Sequence, residues 1–573
     1  MNYHWNYKET SKDVVENIKS KFNLPKPIAV IMAQRGIKNK KNFNQYYDIN
    51  INSLHDPFLM LNMEKSVEFI KTMIEKKETI VILGDFDADG ITATSILFLF
   101  FKSLNIDVYY YIPNRFNEGH GISKNGIDFS SKIGAKLIIT CDCGINAFEE
   151  IEYAKTKNLH TIVTDHHNQK KKLPKAYSII NPKQNYCNYP FKGLSGSGVA
   201  LKLALGLCKS MGLDSSLALQ YTDIVTLGII SDAVPIVDEN RAIVTDGLIK
   251  IKKGKNIGIA ALLNQCKISK NRISIDQLLY SIIPKINSAG KVGDASRGVK
   301  LITSRNFFLA KNIAADLNNE NIKRQSITIS VFNDCISKIK NDNSIIERNA
   351  IILFGNNWHD GVLGIVASKI KEKYHKPSII INFKTNGIGT ASCRSILGFN
   401  IYNAVERCSK HILSYGGHAM ATGFTIDSKN LKLFCAQFYS LTEKLINKQK
   451  LKPKIYIDTK LDLIDINSRL LKFLRFLSPF GPGNENPVFL SRNIKVIGIP
   501  QIIGKNNDII KFIISEEKVM YEVIGLNMIE KYEYLISGKK IDIVYEIKDN
   551  NLKTRSSIQL NLKDIKTRDN IHA

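Results

Sequence analysis

Nothing in this 573-residue chain is long and apolar enough to span a membrane. The greasiest stretch, SILFLFF at Ser95–Phe101, falls far short of the roughly 18 apolar residues a spanning helix needs. The opening MNYHWNYKETSKDVVENIKSK lacks the apolar centre of a secretory signal. Nine cysteines are present but no CxxC pair. Cys141 and Cys143 bracket Asp142; two residues apart on a strand, they point the same way with no further thiol beside them. Reduced thiols in a cytoplasmic protein are the expectation. No internal repeat and no low-complexity tract occurs. Acidic residues are also scarce, 53 against 80 Lys and Arg, for a net charge of +27. That excess suits a polyanion, nucleic acid before an anionic membrane surface. An AT-rich coding sequence would enrich Lys, Asn and Ile too, so the charge permits a nucleic-acid partner without establishing one.

What is there is an ordinary globular balance, 44% hydrophobic and 23% charged, in a chain too long for one core. Residues 1–50 read as a helical preface. From 51 to 260, short apolar strands (TIVILGD, DVYYYIP, AKLIITCD, HTIVTDHH, AYSIINP) alternate with helices such as ITATSILFLFFKSL and NAFEEIEYAKTKN. This alternation predicts a parallel sheet covered on both faces. Residues 261–345 read as a helical connector, with one long helix from about Ser304 to Lys340. A second α/β pattern fills 346–447, through AIILFGN, GIVASKIKEKY and PSIIINF. After Lys448 the strand candidates IKVIGIPQIIG, IIKFIIS, VMYEVIGL, KIDIVYEIK and SSIQLNLKDI, divided by KNND, EEK and DNN turns, predict a small OB-like β-barrel over 448–573.

The chemistry concentrates at strand ends. In a parallel sheet the carboxyl ends of the strands converge on one crevice. The first strand ends in Asp85, with Asp87 and Asp89 following; another ends in Asp142; a third runs into Asp165, His166 and His167. Asp232 lies at the end of a helix built from YTDIVTLGIIS. Crowded carboxylates repel one another unless protonated or neutralised by a cation. Carboxylate oxygens with imidazole, and no thiolate or HExxH, suit Mn²⁺ or Mg²⁺. Five or more such ligands are enough for two ions, and a metal pair of this kind activates water for phosphodiester hydrolysis. Taken singly, each motif has an ordinary explanation as a turn or a helix cap. Their joint placement at separate strand ends is what points to a metal site.

GDFDADG, CDCG, TDHH and LGIISDAVP, in this order, resemble the motifs of the DHH phosphoesterase superfamily. RG at Arg35, DPFLM, GLSGSGVALKLA, PKINSAGKVGDA, WHDGVLGIVASK, GGHAMATGF and LSPFGPGNENPVF further resemble the RecJ family, bacterial exonucleases specific for single-stranded DNA. The resemblance implies a DHH catalytic domain, a DHHA1 domain that clamps substrate, and a nucleic-acid-binding barrel. It implies Asp87, Asp89, Asp142, His166 and Asp232 as metal ligands, with Asp142 bridging. It implies His167 at the scissile phosphate, Asp85 orienting the loop or a water, and Asp165 holding a histidine tautomer. It implies degradation of single-stranded DNA from the 5′ end to mononucleotides, in recombination and repair, with a helicase and a single-strand-binding protein as collaborators; a monomer is the expectation for the oligomeric state. Lys285 and Asn287 in PKINSAGK stand among the implied substrate contacts. Lys285, Ser288 and Lys291 replace the family's usual Arg, Ala and Arg, and lysine loses the bidentate fork.

In the second domain Arg394 and Ser395, with Gly416, Gly417 and His418, form a phosphate-compatible set: backbone N–H groups at the glycines, a guanidinium and an imidazole. Phe512, Tyr521 and Tyr545 lie on barrel strands, where an aromatic either stacks a base or fills the core. Two other readings compete: a phosphodiesterase of the same superfamily acting on short oligonucleotides or cyclic dinucleotides, and a scaffold that binds nucleic acid without catalysis. The barrel disfavours the first, and the full ligand set disfavours the second.

Overall fold

The computed structural model describes residues 3–567 apart from 48, 116, 171, 448–450, 505–506 and 551–556, so the KNND and DNN turns lie partly outside the described residues. The chain divides into two compact units, one comprising residues 7–320 and 457–573, the other 1–6 and 321–456. Among the described residues no helix is long and apolar enough to cross a membrane.

The first unit is organised by a five-stranded parallel sheet in the order Val108–Tyr111, Ile80–Gly84, Leu137–Cys141, His160–Thr164, Ser178–Ile180. Strand alternation sends Ile80 and Ile82 into one hydrophobic layer and Val81 and Leu83 into the other. Helices Ala88–Ser103 and Gly196–Ser210 pack on the first face, and Thr222–Ser231 packs against those two helices. Lys124–Lys132 and Phe148–Thr156 cover the second. The apolar run at Ser95–Phe101 is therefore core: Phe100 and Phe101 are fully buried in the larger layer. The register aligns Gly84, Cys141, Thr164 and Ile180 across four strands. Backbone bonds continue one residue further, from Asp85 N to Cys141 O, Asp142 N to Thr164 O and Asp165 N to Ile180 O. Three aspartates thus stand side by side at one rim because four strands stop in register.

The same unit carries a closed barrel of five strands, Val488–Ile503, Ile509–Glu516, Val519–Leu526, Ile541–Asn550 and Ser557–Thr567. The first pairs with both the second and the fourth, which closes the ring. Phe512 and Tyr545 are core residues here, and the Tyr545 hydroxyl lies 2.8 Å from Ser491 Oγ. The half-buried Tyr521 donates its hydroxyl to Ile466 O. Helices Lys12–Phe22 and Lys26–Gln34 join the barrel's core through Val15, Ile18, Ile28 and Met32. The preface, which also contains the short strand His4–Tyr7, is thus largely a lid on the barrel core. The segment that leads into the first barrel strand docks on the parallel-sheet domain: Ile236 N donates to Pro482 O, and Arg241 donates to Phe476 O and Ser478 O.

The helix Phe307–Asn341 leads from this unit into the next. Ala310, Ile313 and Leu317 pack in the first unit's core, and Val331, Cys335 and Ile339 in the second's. The second unit holds a five-stranded sheet in the order Ser414–His418, Ala421–Asp427, Ile388–Arg394, Ser378–Phe383, Ile351–Asn356. Only the last two strands are parallel, joined by the crossover helix Leu363–Tyr374; the other pairings are antiparallel.

Candidate metal centre

The acidic loop starts where the Ile80–Gly84 strand stops. Asp85 Oδ1 accepts from Phe86 N at 2.9 Å and Gly121 N at 3.2 Å, which ties this carboxylate to two backbone segments. Asp87 caps the helix that begins at Ala88, accepting from Asp89 N and Gly90 N, both at 3.0 Å. Asp89 accepts from Gly196 N at 2.6 Å and Ser197 N at 3.0 Å, at the start of another helix. Asp142 holds a left-handed backbone, φ 62°, uncommon for a residue with a side chain and typical of functional sites. Gly196 lies so close that a Cβ there would sit 2.5 Å from Asp142 Cβ.

His166 sits at the centre. Its Nε2 lies 3.1 Å from Asp142 Oδ1, 3.5 Å from Asp232 Oδ2 and 3.9 Å from Asp89 Oδ2. Asp142, His166 and His167 each present a ligand atom within 4.8 Å of one another, and so do Asp89, His166 and Asp232. Asp165 is engaged throughout: Oδ1 accepts from His166 N, His167 N and His167 Nδ1, the last at 2.7 Å, and Oδ2 accepts from Ile145 N.

The electrostatics are those of a site built around positive charge. Burial, then the neighbouring Asp87, pushes the Asp85 and Asp89 carboxyls up to about 6. Burial with Asp89 and Asp87 takes Asp232 to about 7, and burial holds Asp142 well above the usual carboxylate range. Burial, then the His167 charge, lowers His166 to about 3, so its imidazole is neutral with a lone pair to offer. Burial works against a charged His167, but the Asp165 hydrogen bond and charge outweigh it and raise His167 to about 9. Asp165 is held low by that same bond despite its burial. Asp142 Oδ1 and His166 Nε2 are buried with no hydrogen-bond partner. Buried polar atoms are normally satisfied. A lone carboxylate oxygen facing a lone imidazole nitrogen, with two more carboxylates beside them, fits Mn²⁺ or Mg²⁺ bound by oxygen and nitrogen.

Of the remaining residues in the first unit, Asn287 Oδ1 accepts from Ala88 N at 2.9 Å, between Asp87 and Asp89. Lys285 is buried and donates its ammonium to Ser281 O at 2.8 Å, in the turn just before its own helix. In the second unit the register pairs Arg394 with Ala421 and Ala421 with His418, so Arg394 and His418 flank a small residue on one face. Gly416 leaves that strand open, and Ser395 is buried with its hydroxyl on Phe399 O at 2.6 Å. The hydroxyl beside Arg394 is Ser392, 3.3 Å from Nη1. The two-residue period of a strand is the signal that would have found it. Lys183, just past the last strand of the parallel sheet, also faces the site; its charge acts on His166 and Asp232. Arg115, in the loop after Val108–Tyr111, lies 5.3 Å over the Phe86 ring of the acidic loop. Both follow parallel strands at their carboxyl ends, where side chains converge.

The sequence matches three family models: DHH family, N-terminal domain, over residues 79–229; DHHA1 domain over 347–444; and RecJ OB domain over 457–564. The single-stranded-DNA-specific exonuclease RecJ of Bacillus subtilis is 30% identical over 561 residues, 98% of this chain and 70% of that one. The crystal structure of RecJ in complex with Mn²⁺ from Thermus thermophilus matches the fold with a TM-score of 0.83 at 22% identity, covering 99% of this chain and 80% of that one. A crystal structure of exonuclease RecJ bound to manganese matches with a TM-score of 0.59 at 27% identity, covering 68% of this chain and 96% of that one. The chain therefore belongs to the RecJ family of single-stranded-DNA-specific exonucleases.

Proposed function

We propose that this exonuclease hydrolyses single-stranded DNA from the 5′ end to mononucleotides, using two divalent cations, Mn²⁺ or Mg²⁺, held by Asp87, Asp89, Asp142, His166 and Asp232. The observation that carries the reading is the pair of orphaned ligand atoms, Asp142 Oδ1 and His166 Nε2, 3.1 Å apart among buried carboxylates. Asp142, with an oxygen 3.1 Å from His166 Nε2, would be the carboxylate placed to hold either ion. When bound, the cations neutralise the carboxylates, activate water and stabilise the attacking and leaving oxygens at phosphorus. The match to an exonuclease RecJ bound to manganese supports the choice of ion.

The chain's own groups do the rest. His167, kept protonated by Asp165, donates to a non-bridging oxygen of the scissile phosphate and stabilises the charge that grows there. Asp165 fixes the ring through Nδ1, which aims Nε2 outward. Asp85, through its two backbone partners, holds the acidic loop against the Gly121 segment. Arg394 and His418, with the open backbone at Gly416 and the left-handed Gly417 beside it, grip phosphates of the strand. The basic surplus attracts the polyanion, and its work lies in recombination and repair beside a helicase and a single-strand-binding protein.

Strands labelled at one end test this directly. A 5′ label should be released as mononucleotide at once, only from single strands and only with Mn²⁺ or Mg²⁺. Release of a 3′ label first, or turnover confined to very short oligonucleotides, would overturn the polarity or the substrate.

A further inference from the structure

We infer that Asn287 is a positioning residue for the metal-binding loop rather than a contact to DNA; this deepens the proposed function and rests on it. The argument begins with the donors that open the helix Ala88–Ser103. The first N–H groups of a helix have no partner within it. Asp87 Oδ1 accepts two of them, Asp89 N and Gly90 N, and Asp87 O accepts Ile91 N in the regular helical pattern. That leaves Ala88 N, in a residue with no exposure to solvent. Asn287 Oδ1, on the helix Ile283–Val292, fills this position at 2.9 Å.

The peptide so held lies between two proposed ligands, Asp87 and Asp89. A second contact from the same helix reinforces it. Gly290, three residues on and therefore on the same helical face, meets the loop one residue before Asp87: a Cβ at Gly290 would sit 2.5 Å from Phe86 O and 2.8 Å from the Phe86 ring. The helix thus touches the loop at Phe86 and at Ala88 and fixes the direction in which Asp87 and Asp89 present their carboxylates. Lys285, two residues before Asn287, turns its ammonium back to Ser281 O, just ahead of the helix. The PKINSAG segment works as a bracket, and the carboxamide oxygen of Asn287 is its hook.

The test compares Asn287→Ala, Asn287→Leu and Asn287→Asp in the full-length chain, measuring Mn²⁺ binding by calorimetry without DNA and single-strand binding by anisotropy in chelator. Loss of a group that orients a ligand typically weakens metal binding ~10–100-fold. Asn287→Ala and Asn287→Leu should weaken Mn²⁺ binding by about that factor and leave DNA binding in chelator unchanged. Asn287→Asp keeps an acceptor in place and should restore Mn²⁺ binding. Wild-type Mn²⁺ affinity in the Ala and Leu variants, or weakened DNA binding with metal binding intact, would overturn the inference alone. A wild-type chain that binds no Mn²⁺ would overturn the functional reading itself.

Discussion

Stripping the divalent ions from this exonuclease should make its stability fall as pH rises across the range where its acidic cluster ionises. Asp85 and Asp89 have folded values near 6 against an ordinary 3.8, and Asp142 and Asp232 are raised as well. A raised carboxyl means that the folded chain binds more protons than the unfolded one between those two values. Stability is therefore highest below about pH 4 for this contribution and is lost as pH rises through about 6 to 7. At about 1.4 kcal/mol per pK unit, the roughly two-unit shift of Asp89 alone amounts to about 3 kcal/mol. For a domain of this size that corresponds to about 5–10 °C in melting temperature. The assay is thermal melting of the catalytic transition from pH 4 to 8, in chelator and in excess Mn²⁺, read as the difference at each pH so that unrelated titrations cancel. The Mn²⁺-induced shift should be small near pH 4 and grow to its full size by pH 8. Asp142→Asn should be more stable than wild type in chelator at pH 8, gain little from Mn²⁺, and lose activity. A shift independent of pH, or a destabilised Asp142→Asn in chelator, would refute the electrostatic reasoning.

Three further outcomes follow from single contacts. Gly196→Ala drives a methyl into Asp142 and should lower kcat by at least ~100-fold in single-turnover digestion, as displacement of a reacting group by an ångström does. The pH profile of the Mn²⁺-loaded wild type should fall on its alkaline side as His167 loses its proton, and Asp165→Asn, which removes the charge bonded to that ring, should move the fall to lower pH. Arg394→Lys keeps the charge but loses the fork, so KM for a long single strand should rise about tenfold with kcat little changed.

Much of this architecture was legible because its signals are local. Alternating short apolar strands and helices announced the parallel sheet, and the five strand candidates after Lys448 all became barrel strands. The clustering of Asp85, Asp142 and Asp165 was readable because each ends an apolar run, and strands of one parallel sheet deliver their ends to a common rim. What stayed hidden depends on partners far away in sequence. Arg241 reads as one more base on an amphipathic helix, yet it donates to carbonyls more than 230 residues later. Val15 and Met32 show a helical stripe but not that a barrel covers it. The carboxamide of Asn287 carries no sign of the peptide it holds 199 residues away. Lys183 and Arg115 follow strand ends as the aspartates do, but an isolated base in a basic chain gives no contrast. In the second domain the sequence shows Ser395 beside Arg394 but not that the strand Ile388–Arg394 ends between them, which turns the Ser395 hydroxyl to Phe399 O.

Anomalous diffraction at the manganese edge, from crystals grown with Mn²⁺, tests the central claim most directly. The account predicts two peaks within coordination distance of the proposed ligands, with Asp142 touching both and His166 one. One peak, or peaks that leave Asp142 and His166 uncoordinated, would contradict it.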